Sequence, residues 1–177
     1  MKIIFLDIDG VLQPYDNTER FNHDLQETVK EVAEKYNDQI YFTMDPYDVA
    51  AVYYDWDDKA VRLLKSCLDE THAKTVISSG WRDFNNEEQL KALFKIHALD
   101  SYITDVLPKG IKERVITDYL KDHSESIEGY VVLDDYNMTS AFGPHMVKTY
   151  DRLTEKNKTE MMDALQIGFS LHAEEPR

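Results

Sequence analysis

Three short apolar runs alternate with longer segments of helical periodicity, and this alternation is the strongest constraint on the fold of the chain. The runs are KIIFL at residues 2–6, KTVIS at 74–78 and YVVL at 130–133. Each is bounded by polar residues and has the length of a strand that is buried on both faces of a sheet. Because helical segments separate the runs, their order predicts an α/β fold in which a mainly parallel sheet lies between two layers of helices.

The spacing of apolar residues between these runs predicts the remaining elements. Helices are expected over residues 22–36, 57–70, 85–96, 112–120 and 154–167. Asn85 and Glu88 form the pattern of a capping box, and Thr154 is a typical N-cap residue. Weaker strands are expected at 102–107 and 145–150, and residues 172–177 are expected to form a frayed tail.

Residues 37–56 interrupt this periodicity. The segment contains Pro46 and is crowded with aromatic side chains. We expect it to form a hairpin or an irregular insert after the first helix. The whole chain, residues 1–177, has the length of a single domain with its own core.

The charge and composition of the chain exclude several classes of function. The formal net charge of −14 argues against a broad basic surface for binding nucleic acid, although it permits a local basic pocket. No stretch approaches the roughly 18 apolar residues of a membrane span, and the first residues lack the pattern of a signal peptide. One cysteine, Cys67, cannot form an intramolecular disulfide or a cysteine zinc cluster. We therefore expect a cytoplasmic protein that does not contact a membrane.

Each of the three apolar runs ends in a pair of small polar or acidic residues. The pairs are Asp7 and Asp9, Ser78 and Ser79, and Asp134 and Asp135. In an open parallel sheet, ligands bind beyond the carboxyl ends of the strands, so these pairs are expected to meet at one edge. Their convergence is a stronger signal of a site than any one pair.

The DIDG stretch indicates the chemistry of this site. Asp7 and Asp9 are two residues apart and can face one pocket, and Gly10 permits the turn that follows. Neighbouring carboxylates repel each other, and bound Mg²⁺ relieves the repulsion because it prefers oxygen ligands. One aspartate can attack phosphorus, and another can donate and accept a proton. A calcium loop of the EF-hand type is excluded because Gly10 comes too early and Thr18 replaces the closing glutamate.

Four stretches together resemble the motifs of haloacid-dehalogenase-like (HAD) phosphatases. They are FLDIDGVL, VISSGWR, a downstream lysine and VVLDD, in the order of that superfamily. The SSGWR stretch, the DD ending and MVKTYDRLTEKNKTEMMDAL more narrowly resemble the HAD domain of Swiss Army Knife RNA-repair proteins. The resemblance implies a Rossmann-like sheet, and it implies that an insert such as 37–56 acts as a small cap over the site.

The resemblance also implies roles for the acidic residues. Asp7 matches the nucleophile, which is also a metal ligand. Asp9 matches the general acid and base, and its backbone carbonyl would coordinate Mg²⁺. Asp135 is expected to bind the metal directly, with Asp134 in support.

The serine and the lysine of the family pattern each have two candidates. Ser79 precedes a glycine, as in the family, but Ser78 is a rival because the strand can end there. Lys112 is preferred to Lys109 because residues three, four and seven positions after Lys112 form an apolar helix face. Either lysine would neutralise the phosphoryl group of the substrate.

Arg82 and Trp81 follow the second motif directly. Arginine suits bidentate binding of phosphate, so Arg82 is a candidate substrate-binding residue, with an ion pair to a surface acid as the alternative. Trp81 is expected to pack against the protein rather than to stack on a substrate.

These residues predict a Mg²⁺-dependent phosphohydrolase that cleaves phosphomonoesters through an aspartyl-phosphate. Its substrate would be a phosphorylated small molecule or, as the narrower resemblance implies, the end of an RNA strand. A different class of function is a binding module that keeps the fold without catalysis. Such a module would bind a ligand without turning it over.

Overall fold

A computed structural model describes residues 1–169 of the chain. Its centre is a sheet of five strands that all run parallel, in the spatial order β3-β2-β1-β4-β5. The strands are β1 (Lys2–Leu6), β2 (Lys74–Ile77), β3 (Ile103–Val106), β4 (Gly129–Asp134) and β5 (Met146–Lys148). All five strands expected from the sequence are therefore present, including the two weaker ones.

Helices cover both faces of the sheet. They are α1 (Leu25–Tyr36), α2 (Pro46–Ala50), α3 (Asp58–Thr71), α4 (Glu87–Lys95), α5 (Lys112–Asp122), α6 (Thr139–Phe142) and α7 (Glu155–Ala164). Short 3-10 helices lie at Glu19–Asn22, Gln39–Thr43, Gly80–Asp83, Asp100–Tyr102 and Gly143–His145. The predicted three-layer α/β/α sandwich with a Rossmann-like sheet is confirmed.

The side chains of β1 explain why its sequence is apolar after Lys2. Ile4 and Leu6 belong to a large hydrophobic cluster with residues of α1, α3, α4 and α7. Ile3 and Phe5 belong to a second cluster, on the other face, with residues of α5 and α6. Since both faces of this central strand are buried, polar residues are excluded until the strand ends at Leu6.

The strand order reverses between β1 and β4. The chain proceeds from β1 through β2 to β3 in one direction, and then continues on the opposite side of β1 with β4 and β5. In open parallel sheets, the crevice at such a reversal, outside the carboxyl ends of the strands, is where ligands bind. Asp7 and Asp134 lie at this point of the sheet.

The predicted starts of α3, α5 and α7 are correct. Helix α1 begins at Leu25 rather than at residue 22, and the capping box of α4 is displaced by one residue. Asp57 caps α3 by accepting a hydrogen bond from the backbone N–H of Ala60 at 2.8 Å. The capping box of α4 is formed by Asn86 and Gln89, not by Asn85 and Glu88. The side chain of Asn85 is instead committed to tertiary contacts with the insert, which the local pattern does not reveal.

The insert at 37–56 is helical, so the expectation of a hairpin is wrong. Asp38 and Asp45 cap the 3-10 helix at Gln39–Thr43 and helix α2, and a π-helical turn at Ala51–Asp55 follows. Pro46, which suggested an irregular segment, occupies the first turn of α2, where proline is well accommodated.

Tyr41 anchors the insert to the rest of the protein. Its ring is fully buried, and its hydroxyl donates a hydrogen bond to the carbonyl oxygen of Ala92 at 2.7 Å. Tyr41 thus packs the insert on α4, whereas Phe42 and Tyr47 are exposed. Its action as a cap stays a prediction.

The last part of the chain differs slightly from expectation. Helix α7 begins after Thr154, as predicted, but ends at Ala164 rather than at Ile167. The expected tail at 172–177 lies outside the described residues. Among residues 1–169, no helix has both the length and the apolar character needed to cross a membrane.

Candidate active site

The strand register brings three of the predicted site residues side by side. Leu6 of β1 pairs with Ile77 on one side and with Leu133 on the other. The next residue of each strand is Asp7, Ser78 and Asp134. The backbone N–H of Asp7 donates to Leu133 O, and that of Ser78 donates to Leu6 O, each at 3.0 Å.

A cluster of carboxylates forms at this edge of the sheet. One carboxylate oxygen from each of Asp7, Asp134 and Asp135 lies within 4.8 Å of the others. Asp7 and Asp134 are buried, and Asp135 is half-buried. Three carboxylates in so small a volume are a hard-oxygen donor set that suits Mg²⁺, so the residues present fit the metal that the sequence predicts.

Lys112 opens α5 and reaches this cluster. Its Nζ lies 2.6 Å from Asp134 Oδ2 and 3.3 Å from Asp7 Oδ1. Burial lowers the pKa of Lys112, but the charges of Asp7 and Asp134 outweigh this effect, and the net shift is upward. Lys112 therefore carries a positive charge beside the two carboxylates. Lys109, the alternative, lies exposed on the loop before the helix.

Burial dominates the electrostatics of the acidic residues. It raises the pKa of Asp7, and the nearby charge of Lys112 offsets this only in part. Burial and the charge of Asp7 raise the pKa of Asp134 to about 7. The protein thus holds carboxylates in an environment that opposes their ionisation, which is the condition that a bound cation relieves.

Asp9 lies on a tight turn directly after the buried Ile8. The carbonyl oxygen of Ile8 accepts hydrogen bonds from the backbone N–H groups of residues 11, 12 and 13, and Gly10 adopts a positive φ of 73°. Asp9 Oδ2 accepts a hydrogen bond from the indole Nε1–H of Trp81 at 3.0 Å. Burial raises the pKa of Asp9, and this hydrogen bond opposes the rise.

The two serines have different surroundings. Ser79 Oγ accepts a hydrogen bond from the backbone N–H of Trp81 at 3.3 Å, and so caps the 3-10 helix at Gly80–Asp83. Ser78 Oγ is buried and has no hydrogen-bond partner within the part of the chain that the structure describes. Since buried polar atoms normally have a partner, Ser78 Oγ is suited to bind a group brought by a ligand.

The guanidinium group of Arg82 is turned into the protein. Nη1 donates to the carbonyl oxygens of Ser78 and Ser79, at 2.6 and 2.8 Å. Nε and Nη2 donate to those of Pro108 and Gly110, each at 3.1 Å. Arg82 thus joins the turn after β2 to the loop that leads to Lys112, with most of its donors already used.

Two further residues, Tyr15 and Thr149, contact the site and were not predicted from the sequence. The hydroxyl of Tyr15 donates a hydrogen bond to Asp135 Oδ2. Thr149 Oγ1 donates to the carbonyl oxygen of Gly10 at 2.7 Å, and the backbone N–H of Thr149 donates to Asp134 O at 2.9 Å. Thr149 could have been found, because it lies near the end of the strand predicted at 145–150. No local pattern around Tyr15 indicates its role.

The site geometry agrees with the outcome of a comparison against protein-family models. Residues 3–157 match the model described as the HAD domain in Swiss Army Knife RNA repair proteins. The chain belongs to this HAD domain family. No curated protein and no solved structure matches it.

The family match of this HAD domain covers both the sheet and the predicted site. The matched range includes β2 to β5, all of β1 except Lys2, and every predicted site residue. Within it, Asp7, Asp134 and Lys112 are brought into direct contact, although they are far apart in the sequence. Membership of the HAD domain family supports a phosphohydrolase, and the carboxylate cluster is compatible with the metal that such enzymes use.

Proposed function

We propose that this HAD domain is a Mg²⁺-dependent phosphohydrolase that cleaves phosphomonoesters through an aspartyl-phosphate on Asp7. The observation that carries the proposal is the position of Lys112, whose Nζ lies between the carboxylates of Asp7 and Asp134. A cation fixed beside a nucleophilic carboxylate draws in the dianionic phosphoryl group that would otherwise be repelled. A cytoplasmic location remains part of this proposal.

Asp7 and Asp9 divide the chemistry between them. Asp7 attacks phosphorus in line while Asp9 gives a proton to the departing ester oxygen. Asp9 then takes a proton from the water that attacks the aspartyl-phosphate, which releases inorganic phosphate and frees Asp7. The raised pKa of Asp9 suits a group that must hold a proton at the start of the cycle.

The carboxylate cluster would hold the metal. We assign direct contacts to Asp7, to the backbone carbonyl of Asp9 and to Asp135. Asp134 is assigned a supporting role, because its Oδ2 accepts from Lys112 and its Oδ1 accepts from the backbone N–H of Tyr136. Bound Mg²⁺ supplies positive charge that stabilises the phosphoryl group as it is transferred.

Ser78 is the better candidate for binding the phosphoryl group. It lies next to Asp7 in the register of the sheet, and its buried Oγ has no partner in residues 1–169. Ser79 caps a helix instead. Arg82 and Lys109 were predicted to bind substrate. The contacts of Arg82 favour a role in holding Ser78 and Lys112 in place, while the exposed Lys109 remains a candidate for contacting a large substrate.

Exposed aromatic rings favour an RNA end over a small phosphomonoester as the substrate. Such rings lie on the loops that follow β1, β2, β4 and β5, and they include Tyr15, Phe84, Tyr136 and Tyr150. These loops all leave the edge of the sheet where Asp7 lies, and bases of a single strand stack on aromatic rings of this kind. Lys148 adds positive charge, with its Nζ 3.5 Å from the centre of the Tyr150 ring.

Hydrolysis of p-nitrophenyl phosphate by the wild type and by Asp7→Asn, with and without Mg²⁺, tests the reaction. We expect release that requires the metal and is lost in the variant. Asp122→Asn, an exposed substitution at the end of α5, is the matched control and should leave the rate unchanged. Binding of phosphate without turnover of any phosphomonoester would instead indicate a HAD-fold binding module.

A second experiment addresses the substrate. Phosphate release is compared for a short RNA with a terminal phosphate and for the corresponding mononucleotide, using the wild type, Phe84→Ala and Tyr136→Ala. Because stacking contributes about 1–3 kcal/mol per base, each variant should lower kcat/KM for the RNA several-fold. Equal rates for RNA and mononucleotide, unchanged in both variants, would favour a small substrate.

A further inference from the structure

Trp81 is held rigidly beside the site. Ser79 caps the short helix that carries it, and its half-buried ring packs against the larger hydrophobic cluster. The ring lies edge-on to that of Trp56, with 6.4 Å between centroids and 61° between planes. An indole fixed in this way has a defined direction for its single N–H donor.

That donor is directed at Asp9. Trp81 Nε1 lies 3.0 Å from Asp9 Oδ2, across a sequence separation of 72 residues. The hydrogen bond occupies one oxygen of the carboxyl group and fixes the rotation of the group about its last bond. The other oxygen, Oδ1, is left to exchange a proton with a substrate.

We propose that Trp81 is a positioning residue that orients Asp9 for proton transfer to the leaving group. This inference rests on the phosphohydrolase function proposed above. In the first step, the bond between phosphorus and the ester oxygen breaks as the bond from Asp7 to phosphorus forms. The proton on Asp9 Oδ1 moves to the departing oxygen, which leaves as an alcohol, and Asp9 becomes a carboxylate whose Oδ2 is held by the indole N–H.

The proposed role differs from packing in what it predicts for different esters. p-Nitrophenolate is a stable anion that departs without a proton, whereas the alkoxide of an alkyl ester needs one. Loss of a residue that only packs would slow both esters equally. Loss of a residue that orients Asp9 would slow the alkyl ester much more.

Trp81→Phe and Trp56→Phe form a matched pair for this test. Each keeps an aromatic ring and removes one N–H. Trp56 Nε1 has no hydrogen-bond partner among the described residues, so its loss removes no polar contact. The values of kcat/KM are measured for p-nitrophenyl phosphate and β-glycerol phosphate with saturating Mg²⁺, since this ratio reports the step in which the leaving group departs.

We expect Trp81→Phe to lower kcat/KM about tenfold or more for β-glycerol phosphate and less than about threefold for p-nitrophenyl phosphate. Trp56→Phe keeps an aromatic ring beside that of Trp81, so it should change both values by less than about twofold. Asp9→Asn should also lower kcat/KM more for β-glycerol phosphate than for p-nitrophenyl phosphate, and its losses should exceed those of Trp81→Phe. Equal losses on the two esters, or no loss on either, would overturn the positioning role.

The hydrogen bond itself can be tested without turnover. The chain contains two tryptophans, so its ¹H–¹⁵N spectrum has two indole signals, and the two Phe variants assign them. Asp9→Asn should shift the signal of Trp81 and leave that of Trp56 in place. If the wild type hydrolyses neither these esters nor the terminal phosphate of a short RNA, the proposed function and the positioning role both fail. If the esters are hydrolysed but the Trp81 signal does not respond, only the inference about Trp81 fails.

Discussion

Lys112 Nζ lies 2.6 Å from Asp134 Oδ2, and this ion pair ties the start of α5 to the end of β4 at the centre of the site. The same ammonium group is 3.3 Å from Asp7 Oδ1. One cation therefore lies beside two carboxyl groups and partly offsets the effect of burial, which opposes their ionisation. The arrangement links the stability of the HAD domain to the charge of its site.

Removing the positive charge should therefore destabilise the protein. We expect Lys112→Met to lower the free energy of unfolding by about 2–3 kcal/mol, because two buried carboxylates lose their counter-charge. Urea unfolding measures the change, and Mg²⁺ should restore part of the loss by supplying positive charge. The matched control is Lys109→Met on the exposed neighbouring loop, which should change stability by less than about 0.5 kcal/mol. An equal effect of the two substitutions would argue against the ion pair.

Asp134 should make stability depend on pH when the metal is removed. Its pKa is about 7 in the folded protein, well above the usual value of 3.8, so the folded state binds the proton more tightly than the unfolded state does. The resulting stabilisation is complete below pH 3.8 and is lost as the pH rises towards 7. In buffer with EDTA, the difference in unfolding free energy between the wild type and Asp134→Asn should fall across this range. The corresponding difference for Asp122→Asn should stay flat.

Arg82 should be irreplaceable by lysine. An ammonium group cannot span the carbonyl oxygens of Ser78 and Gly110, which the guanidinium joins, so buried or part-buried acceptors would lose their partners. Arg82→Lys should lower the free energy of unfolding by about 2–4 kcal/mol, at about 1–3 kcal/mol for each unsatisfied group. Arg62→Lys, on the exposed face of α3, is the control. Amide hydrogen exchange should also become faster at residues 78–82 and 110–112. Unchanged exchange there would contradict the proposal that Arg82 holds these two loops together.

Gly10 should not tolerate a side chain. A Cβ atom would lie 2.5 Å from Asp135 Oδ2, and the φ of +73° is itself unfavourable for other residues by about 1–2 kcal/mol. Gly10→Ala should therefore lower stability and, by displacing Asp135, weaken binding of Mg²⁺ in a calorimetric titration. Gly80→Ala is the matched control, because a Cβ there meets nothing within 4 Å. Wild-type affinity for Mg²⁺ in Gly10→Ala would argue against Asp135 as a ligand.

The amino-acid sequence by itself determined the architecture and the location of the site. Apolar runs such as KIIFL can be accommodated only between two layers of helices, and polar residues can begin only where such a strand ends. Local pattern alone therefore pointed to Asp7 and to the pairs Ser78–Ser79 and Asp134–Asp135, but it did not choose between the two serines. Lys112 was preferred to Lys109 from the apolar helix face that follows it, and it is Lys112 that reaches Asp7.

Only the tertiary structure decided how the side chains around this framework are used. Arg82 has the residue type of a phosphate ligand, but its donors are committed to carbonyl groups of two loops. Trp81 meets Asp9, and Tyr15 meets Asp135, across separations of 72 and 120 residues. Periodicity and capping patterns report on neighbours within a few residues along the chain. Hydrogen bonds between distant loops depend on how the strands and helices bring those loops together, so no local pattern contains them.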